Sequence, residues 1–376
     1  MEKNKRIGTI TFHASYNHGS CLQAYALQEF TKDLMGEGCC YEIINLRTET
    51  QKNIYKTPFE KAGLKNLAKR LIYIGFKKRF QKRAQNYEAF IKEKLNTTKE
   101  FASIDELKAA KLKYDYYMSG SDQIWNLECF DFDWSNFLEF CNSGKKISYA
   151  ASFGPLKNKW DKDNAERIKN DLSRYNSISV REEGSAEAVE SLTGLKPTIC
   201  VDPTLLISED KWSSILGDKL IDRDYIFLYD VKNLKDASVI AKKVSGYYKM
   251  PVVIVKENIE KHLHGSFVKK YDAGPIEFLN YVKNAKIVLS SSFHGTVFAT
   301  IFKKPFFAIN GRKDLRINGL LSRMGLEDRC VDTQDIDAKL PGIFDVSFDK
   351  ATKVIDAERE KSKKFLARAL ELGDKQ

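Results

Sequence analysis

Short apolar runs recur along this chain between segments of helical period, and nearly every run ends in a polar loop. That rhythm constrains the fold more than any other feature. Strands are predicted over residues 7–12, 42–46, 114–118, 147–151, 178–180 and 198–201, with helical segments between them. In the first of those helices Leu27, Phe30 and Leu34 share a face, and Ser20 is placed to cap it. The rhythm restarts with strands over 225–229, 252–255, 287–289 and 306–309, and a charged amphipathic helix over about 348–372 closes the chain. Strands alternating with helices imply α/β architecture, with mostly parallel sheets covered on both faces. A chain of 376 residues exceeds one core, so two domains are predicted, 1–205 and 206–376. Asp202-Pro203 and the polar stretch 208–212 mark the crossover, and a basic helical insertion occupies about 56–100.

Hydrophobic residues make up 43% and charged residues 30%, the balance of a folded protein rather than a disordered one. No apolar run approaches the ~20 residues of a membrane span, and the N-terminus reads as a strand rather than a signal peptide. A cytoplasmic enzyme is expected. The seven cysteines are scattered without a CxxC pair, so reduced thiols are expected and no metal site. The net charge of +11 points to anionic partners. Part of that excess is local. Between Lys61 and Lys94 many cations accompany Leu64, Leu67, Leu71 and Ile74 at helical spacing. This is either a solvated helical face or an interfacial helix giving peripheral contact with the inner membrane face. Nucleic acid is not an expected partner, because no DNA- or RNA-binding module is recognisable.

Ligands of open α/β sheets sit at the carboxyl ends of strands, and four polar loops occupy that position. The first, residues 13–20, holds His13, Asn17, His18, Gly19 and Ser20; Gly19 permits close backbone approach, and the helix start offers N–H groups to an anion. Its two histidines lack a further ligand set, so substrate contact or loop packing is expected. The second, 119–126, brings Ser121, Asp122 and Gln123 to a strand end, where an acid suits a sugar hydroxyl or a turn cap. The third presents Arg181, either as a bidentate clamp on a carboxylate or phosphate or in a surface pair with Glu182 or Glu183. The fourth, 290–296, holds Ser292, His294, Gly295 and Thr296 where a strand passes into a helix read as 297–302. There the helix end favours an anion and the histidine can exchange protons near neutral pH.

These loops, in this order, resemble the polysaccharide pyruvyl transferase family. The matching stretches begin with Asn17-His18-Gly19-Ser20 followed by Leu22-Gln23-Ala24-Tyr25-Ala26-Leu27, then Gly120-Ser121-Asp122-Gln123-Ile124-Trp125-Asn126 and Ile147-Ser148-Tyr149-Ala150-Ala151-Ser152-Phe153-Gly154. They continue with Val180-Arg181-Glu182, Val201-Asp202-Pro203-Thr204-Leu205-Leu206 and Ser292-Phe293-His294-Gly295-Thr296, so the resemblance spans about residues 7–330. Relatives often carry Tyr-Gly where His18-Gly19 stands, so His18 is not expected to be catalytic.

The resemblance implies a GT-B-like fold of two Rossmann-like domains facing a cleft. It implies phosphoenolpyruvate as co-substrate, no further cofactor, and a sugar diol on a polymeric or lipid-linked glycan of the cell envelope as acceptor. The family's histidine maps onto His294 and its strand-end arginine onto Arg181. His294 is then expected as general acid or phosphate holder, and Asp122 as the group activating a hydroxyl. Arg181, Ser292, Gly295, Thr296, Asn17, Gly19, Ser20, Ser121 and Gln123 are the candidate substrate contacts. Two other readings fit the same fold: a glycosyltransferase using a nucleotide sugar, and a glycan-binding protein without activity.

Overall fold

The computed structural model describes residues 5–56, 73–155, 160–256 and 266–372. Leu64, Leu67 and Leu71 of the basic insertion lie outside these residues. The chain divides into two compact units, Met1–Tyr55 with Ile91–Ile207 and Ala357–Gln376, and Lys56–Phe90 with Ser208–Asp356. This differs from a single crossover near residue 205 in two places. The segment up to Phe90 groups with the second unit, and the end of the chain returns to the first.

In the first unit β1 (Arg6–Ile10), β2 (Cys40–Ile43), β3 (Tyr116–Ser119) and β4 (Lys145–Ser148) form a parallel sheet in the order β2-β1-β3-β4. Beyond β4 run β5 (Ser179–Val180) and β6 (Thr198–Ile199), aligned with it through the bridges Ile147–Ser177 and Ala151–Val180. β3 is buried along its whole length and β1 at all but its first residue, as parallel strands covered on both faces must be. An aromatic cluster fills the space beside β3: Trp125 stacks on Phe137 at 5.5 Å and meets Phe153 at 5.3 Å and Tyr175 at 5.9 Å. The last helix, Asp349–Ala369, is tied into this unit by its second half. Ser362 Oγ accepts from the Val201 N–H at 3.2 Å, and Arg359 Nε donates to the Leu205 carbonyl at 3.0 Å.

In the second unit β7 (Ile226–Tyr229), β8 (Val252–Val255), β9 (Val268–Lys270), β10 (Ile287–Ser290), β11 (Phe306–Ile309) and β12 (Cys330–Val331) form a parallel sheet ordered β12-β11-β10-β7-β8-β9. The two edge strands, β9 and β12, are absent from the sequence reading, because three half-buried residues and a two-residue strand show no period. Phe278 packs against Tyr229 at 4.6 Å, Phe227 at 6.0 Å and Phe298 at 5.9 Å. Helix Lys77–Lys94 joins this unit through its apolar side. The rings of Phe76 and Phe80 lie 5.1 and 5.5 Å from that of Tyr271, and Asn86 Nδ2 donates to the Asp272 carbonyl at 2.9 Å.

Both sheets reverse direction once. From β1 the chain goes outward to β2 and then returns to β3 on the other side; from β7 it goes to β8 and β9 and returns to β10. Such topological switch points, at the carboxyl ends of the strands, are where doubly wound sheets bind ligands. Phe278→Ala, which empties a fully buried ring position, is expected to lower stability by ~3–5 kcal/mol. A shift of the urea unfolding midpoint measures it.

Candidate active site

At the β1/β3 switch point Asn17, not Ser20, caps helix His18–Met35: its Oδ1 accepts from the Gly19 and Ser20 N–H groups at 2.9 and 3.2 Å. Ser20 lies one turn inside the helix, free of capping duty, and its Oγ donates to Asp122 Oδ2 at 2.6 Å. Asp122 is buried at the end of β3, in the left-handed region at φ 69°, which aspartate tolerates better than most residues. Its Oδ1 accepts from the Gln123 N–H at 2.8 Å. It is therefore the centre of a loop rather than the first residue of a helix. Gly120 beside it has φ 123°, and a Cβ there would stand 2.2 Å from the Tyr149 carbonyl oxygen, so only glycine allows the β3 and β4 loops to close on each other.

Arg181, at the end of β5, is 5% exposed and surrounded by acids. Its Nη1 donates to Asp202 Oδ2 at 2.9 Å and lies 3.6 Å from Asp122 Oδ1, while Nε reaches Glu182 at 3.4 Å. Burial alone would weaken its hold on the proton, but Asp202, Glu182 and Asp122 more than reverse this and raise its pKa. One guanidinium among three carboxylates leaves no surplus positive charge there. Arg181 therefore sits in a buried internal ion cluster that includes Glu182, rather than in a surface pair. Asp202 is the member that the sequence reading passed over, taking Asp202-Pro203 as a crossover. It also accepts from the Thr204 N–H and hydroxyl at 3.0 and 2.7 Å.

The remaining candidates of this unit hold the loops. Ser121 Oγ donates to the Ala150 carbonyl at 2.7 Å, and Gln123 Oε1 accepts from Asn126 Nδ2 at 3.1 Å. His13 bonds the Thr11 carbonyl at 3.1 Å and Asn45 Oδ1 at 2.9 Å, and His18 is fully buried. Among the described residues no group of three or more His, Cys, Asp or Glu is arranged to hold a metal ion.

At the β7/β10 switch point helix Phe293–Ile301 begins earlier than its apolar pattern predicts, so His294, Gly295 and Thr296 form its first turn. Ser292 is its N-cap residue without a side-chain capping bond, and the first turn carries no acid. Partial positive charge gathers at such an end. Thr296 Oγ1 donates back to the Ser292 carbonyl at 3.0 Å, and a Cβ on Gly295 would meet Ser290 Oγ at 2.3 Å and Tyr229 Cδ1 at 2.8 Å. Gly295 therefore seats the helix against β7 and β10. His294 is 9% exposed, with its ring 5.4 Å from that of Phe293.

Two residues that sequence reasoning missed complete this end of the sheet. Ser291 Oγ donates to Asp230 Oδ1 at 2.7 Å, across the switch point. Burial raises the pKa of Asp230, with the Ser291 bond, the Leu234 and Lys232 N–H groups and the charge of Lys256 opposing the shift. Lys256, 4% exposed, follows β8 and donates to Asn233 Oδ1 at 2.6 Å. Each is a charged residue directly after an apolar strand, the signal that had singled out Arg181. Arg181→Leu, which strands the acids around it, is expected to destabilise the protein by ~3–5 kcal/mol. Arg181→Lys is expected to recover only part of this, since one ammonium cannot reproduce the fork. Thermal unfolding of both variants checks the order.

A comparison with curated proteins gives no significant match. Among solved structures, UDP-GlcNAc 2-epimerase from Neisseria meningitidis bound to UDP-GlcNAc is similar over 97% of this chain and 99% of its own, at 11% identity and a TM-score of 0.55. UDP-N-acetylglucosamine 2-epimerase from Rickettsia bellii is similar over 98% and 96%, at 12% identity and a TM-score of 0.55. At such identities the likeness is one of fold, and the fold is GT-B-like. The family model for polysaccharide pyruvyl transferase matches residues 17–312, a stretch that runs from the cap of the first helix through the helix start at His294. The chain belongs to the polysaccharide pyruvyl transferase family.

Proposed function

We propose that this chain transfers the pyruvyl unit of phosphoenolpyruvate to two hydroxyls of a sugar in a cell-surface or exopolysaccharide glycan, forming a cyclic ketal and releasing phosphate. The acceptor is polymeric or lipid-linked and is modified on the cytoplasmic side, and no further cofactor enters the scheme. The observation that carries this reading is His294 in the first turn of an acid-free helix end at a switch point, in a chain of this family.

The reaction adds a proton to the methylene carbon, and a sugar hydroxyl attacks the neighbouring carbon. Phosphate leaves, and a second hydroxyl replaces it, closing the ketal. The two hydroxyls release two protons; the methyl group retains one in exchange, and the other passes to phosphate or solvent. His294 is assigned as the proton donor or the holder of the departing phosphate, beside Ser292, the Gly295 N–H and Thr296, whose own N–H is given to the Ser292 carbonyl at 3.0 Å. Asp122, oriented by Ser20, Gln123 and Arg181, is assigned to the acceptor hydroxyl. Arg181 then acts by fixing Asp122, and any contact it makes with phosphoenolpyruvate must be shared with its three acids. Most of the rate enhancement would come from positioning and from fixed dipoles.

Phosphate release from phosphoenolpyruvate in the presence of extracted host glycan tests this assignment. His294→Ala is expected to slow release by about 10²–10⁴-fold, the usual contribution of a positioned proton donor. Turnover near that of the unaltered protein removes His294 from the chemistry. Calorimetric binding of a nucleotide sugar in place of phosphoenolpyruvate, or host glycans whose mass lacks a pyruvyl ketal with and without the protein, would overturn the reaction itself.

A further inference from the structure

Positive charge is distributed very unevenly along this chain. From Lys61 to Tyr87 there are nine Lys or Arg and no Asp or Glu, and from Lys61 to Lys94 eleven against two. This one segment carries nine units of the net charge of +11. Its described part is helix Lys77–Lys94 with the turn before it.

The helix is held on one side and exposed on the other. Phe80 and Tyr87 are buried, and Asn86 donates to the Asp272 carbonyl at 2.9 Å. At 100° per residue, Lys78, Gln81, Lys82, Gln85, Ala89, Lys92 and Glu93 fall on the opposite arc, and all are exposed; its one acid, Glu93, lies in the last turn. Lys77 and Arg79 are exposed at the two edges of that arc. Because the buried side fixes the helix about its axis, the cations of its first half, Lys77 to Lys82, face outward with no acid among them.

This arrangement does not serve the helix itself. Lys78 and Lys82 stand one turn apart with like charge, which disfavours helix. Lys77, Lys78 and Arg79 occupy the first turn, where the helix dipole favours acids and where this helix has none. An ordinary solvated face mixes signs and places its acids at this end. Ile74, one turn earlier, is 60% exposed. An apolar side chain beside a stripe of cations matches the boundary of a bilayer, with headgroup phosphates outside and acyl chains below. A soluble polyanion offers only the first of these. Among the described residues no helix is long and apolar enough to cross a membrane, so contact of this kind is peripheral.

We infer that the exposed face of the first half of helix Lys77–Lys94, residues 77–85, with Ile74, is a docking surface for an anionic phospholipid bilayer. The inference does not depend on pyruvyl transfer, and its test contains no phosphoenolpyruvate. The full chain is sedimented with vesicles of phosphatidylglycerol and phosphatidylcholine, or of phosphatidylcholine alone, at about 0.1 and about 0.5 M salt. Binding is expected to the anionic vesicles only and to fall at the higher salt. The triple variant Lys77→Glu, Lys78→Glu, Lys82→Glu is expected to bind about tenfold more weakly or worse, with its thermal midpoint unchanged. Should that variant fold poorly, Lys77→Gln, Lys78→Gln, Lys82→Gln is expected to show the same loss in the same direction. Ile74→Ala is expected to weaken vesicle binding while leaving heparin binding as it was. Equal binding to neutral vesicles, undiminished binding by the charge variants, or an Ile74→Ala variant that binds vesicles as well as before would overturn the proposal; the last would leave a soluble polyanion as the partner.

Discussion

A parallel sheet obliges each connection to return across one of its faces, and where successive connections leave in opposite directions two neighbouring strand ends stay uncovered. In this protein that constraint operates twice, between β1 and β3 and between β7 and β10. At the first, Ser20 from the β1 side meets Asp122 from the β3 side at 2.6 Å; at the second, Ser291 from β10 meets Asp230 from β7 at 2.7 Å. Each hydroxyl–carboxylate bond closes an opening that the sheet order makes unavoidable. The helices that follow, His18–Met35 and Phe293–Ile301, start at the same openings and aim their amino ends there.

The first opening carries a second layer of constraint. A buried guanidinium is tolerated only with its charge compensated, and Asp202, Asp122 and Glu182 provide that compensation from three separate loops. The cluster thereby fixes the relative position of the β3 and β5 ends and of the turn at Asp202. Two non-glycine residues in the left-handed region, Asp122 at φ 69° and Ala150 at φ 44°, lie in the same set of loops. Alanine has no polar side chain to favour that conformation, so the surrounding bonds must enforce it, among them the Ala150 N–H to Ser179 Oγ at 2.9 Å. Backbone held away from its preferred wells at a ligand-binding edge is the usual sign that position matters more than local comfort.

What could be read from the sequence was what a single segment determines. Strands such as Val252–Val255 and Phe306–Ile309 declare themselves by unbroken apolar runs, and the closing helix by its period. The polar loops at strand ends were legible because a short acid- or histidine-bearing stretch directly after an apolar run marks the place where a strand gives way to a helix. The edge strands β9 and β12 did not register, whereas β5 and β6, just as short, did because apolar neighbours such as Ile178 and Val201 lengthen their runs. Chain return did not register either: nothing local in Ala357–Gln376 says that it packs with residues near Val201 and Leu205. The partners of Arg181 were illegible for the same reason, since Asp122 and Asp202 are far from it in the chain. Ser20 was taken for the cap because it precedes the apolar run, whereas Asn17, three residues earlier, has the geometry to reach two N–H groups.

The electrostatics of the protein gain from separating these two scales. A net charge of +11 suggests an anion-binding site awash in cations, yet at the β1/β3 opening acids outnumber the arginine, and at the β7/β10 opening Lys256 stands near Asp230. Nine units of the net charge fall between Lys61 and Lys94, separate in the chain from either set of loops. Whole-chain charge therefore describes the surface and says little about the electrostatics of the loops at the strand ends. At the two openings the structure has oriented groups in place of excess charge: an acid-free helix start, hydroxyls anchored to carboxylates, and glycine where the backbone must come close. Oriented dipoles that are already fixed need not reorganise as charge moves, which is the demand that the proposed ketal formation would make.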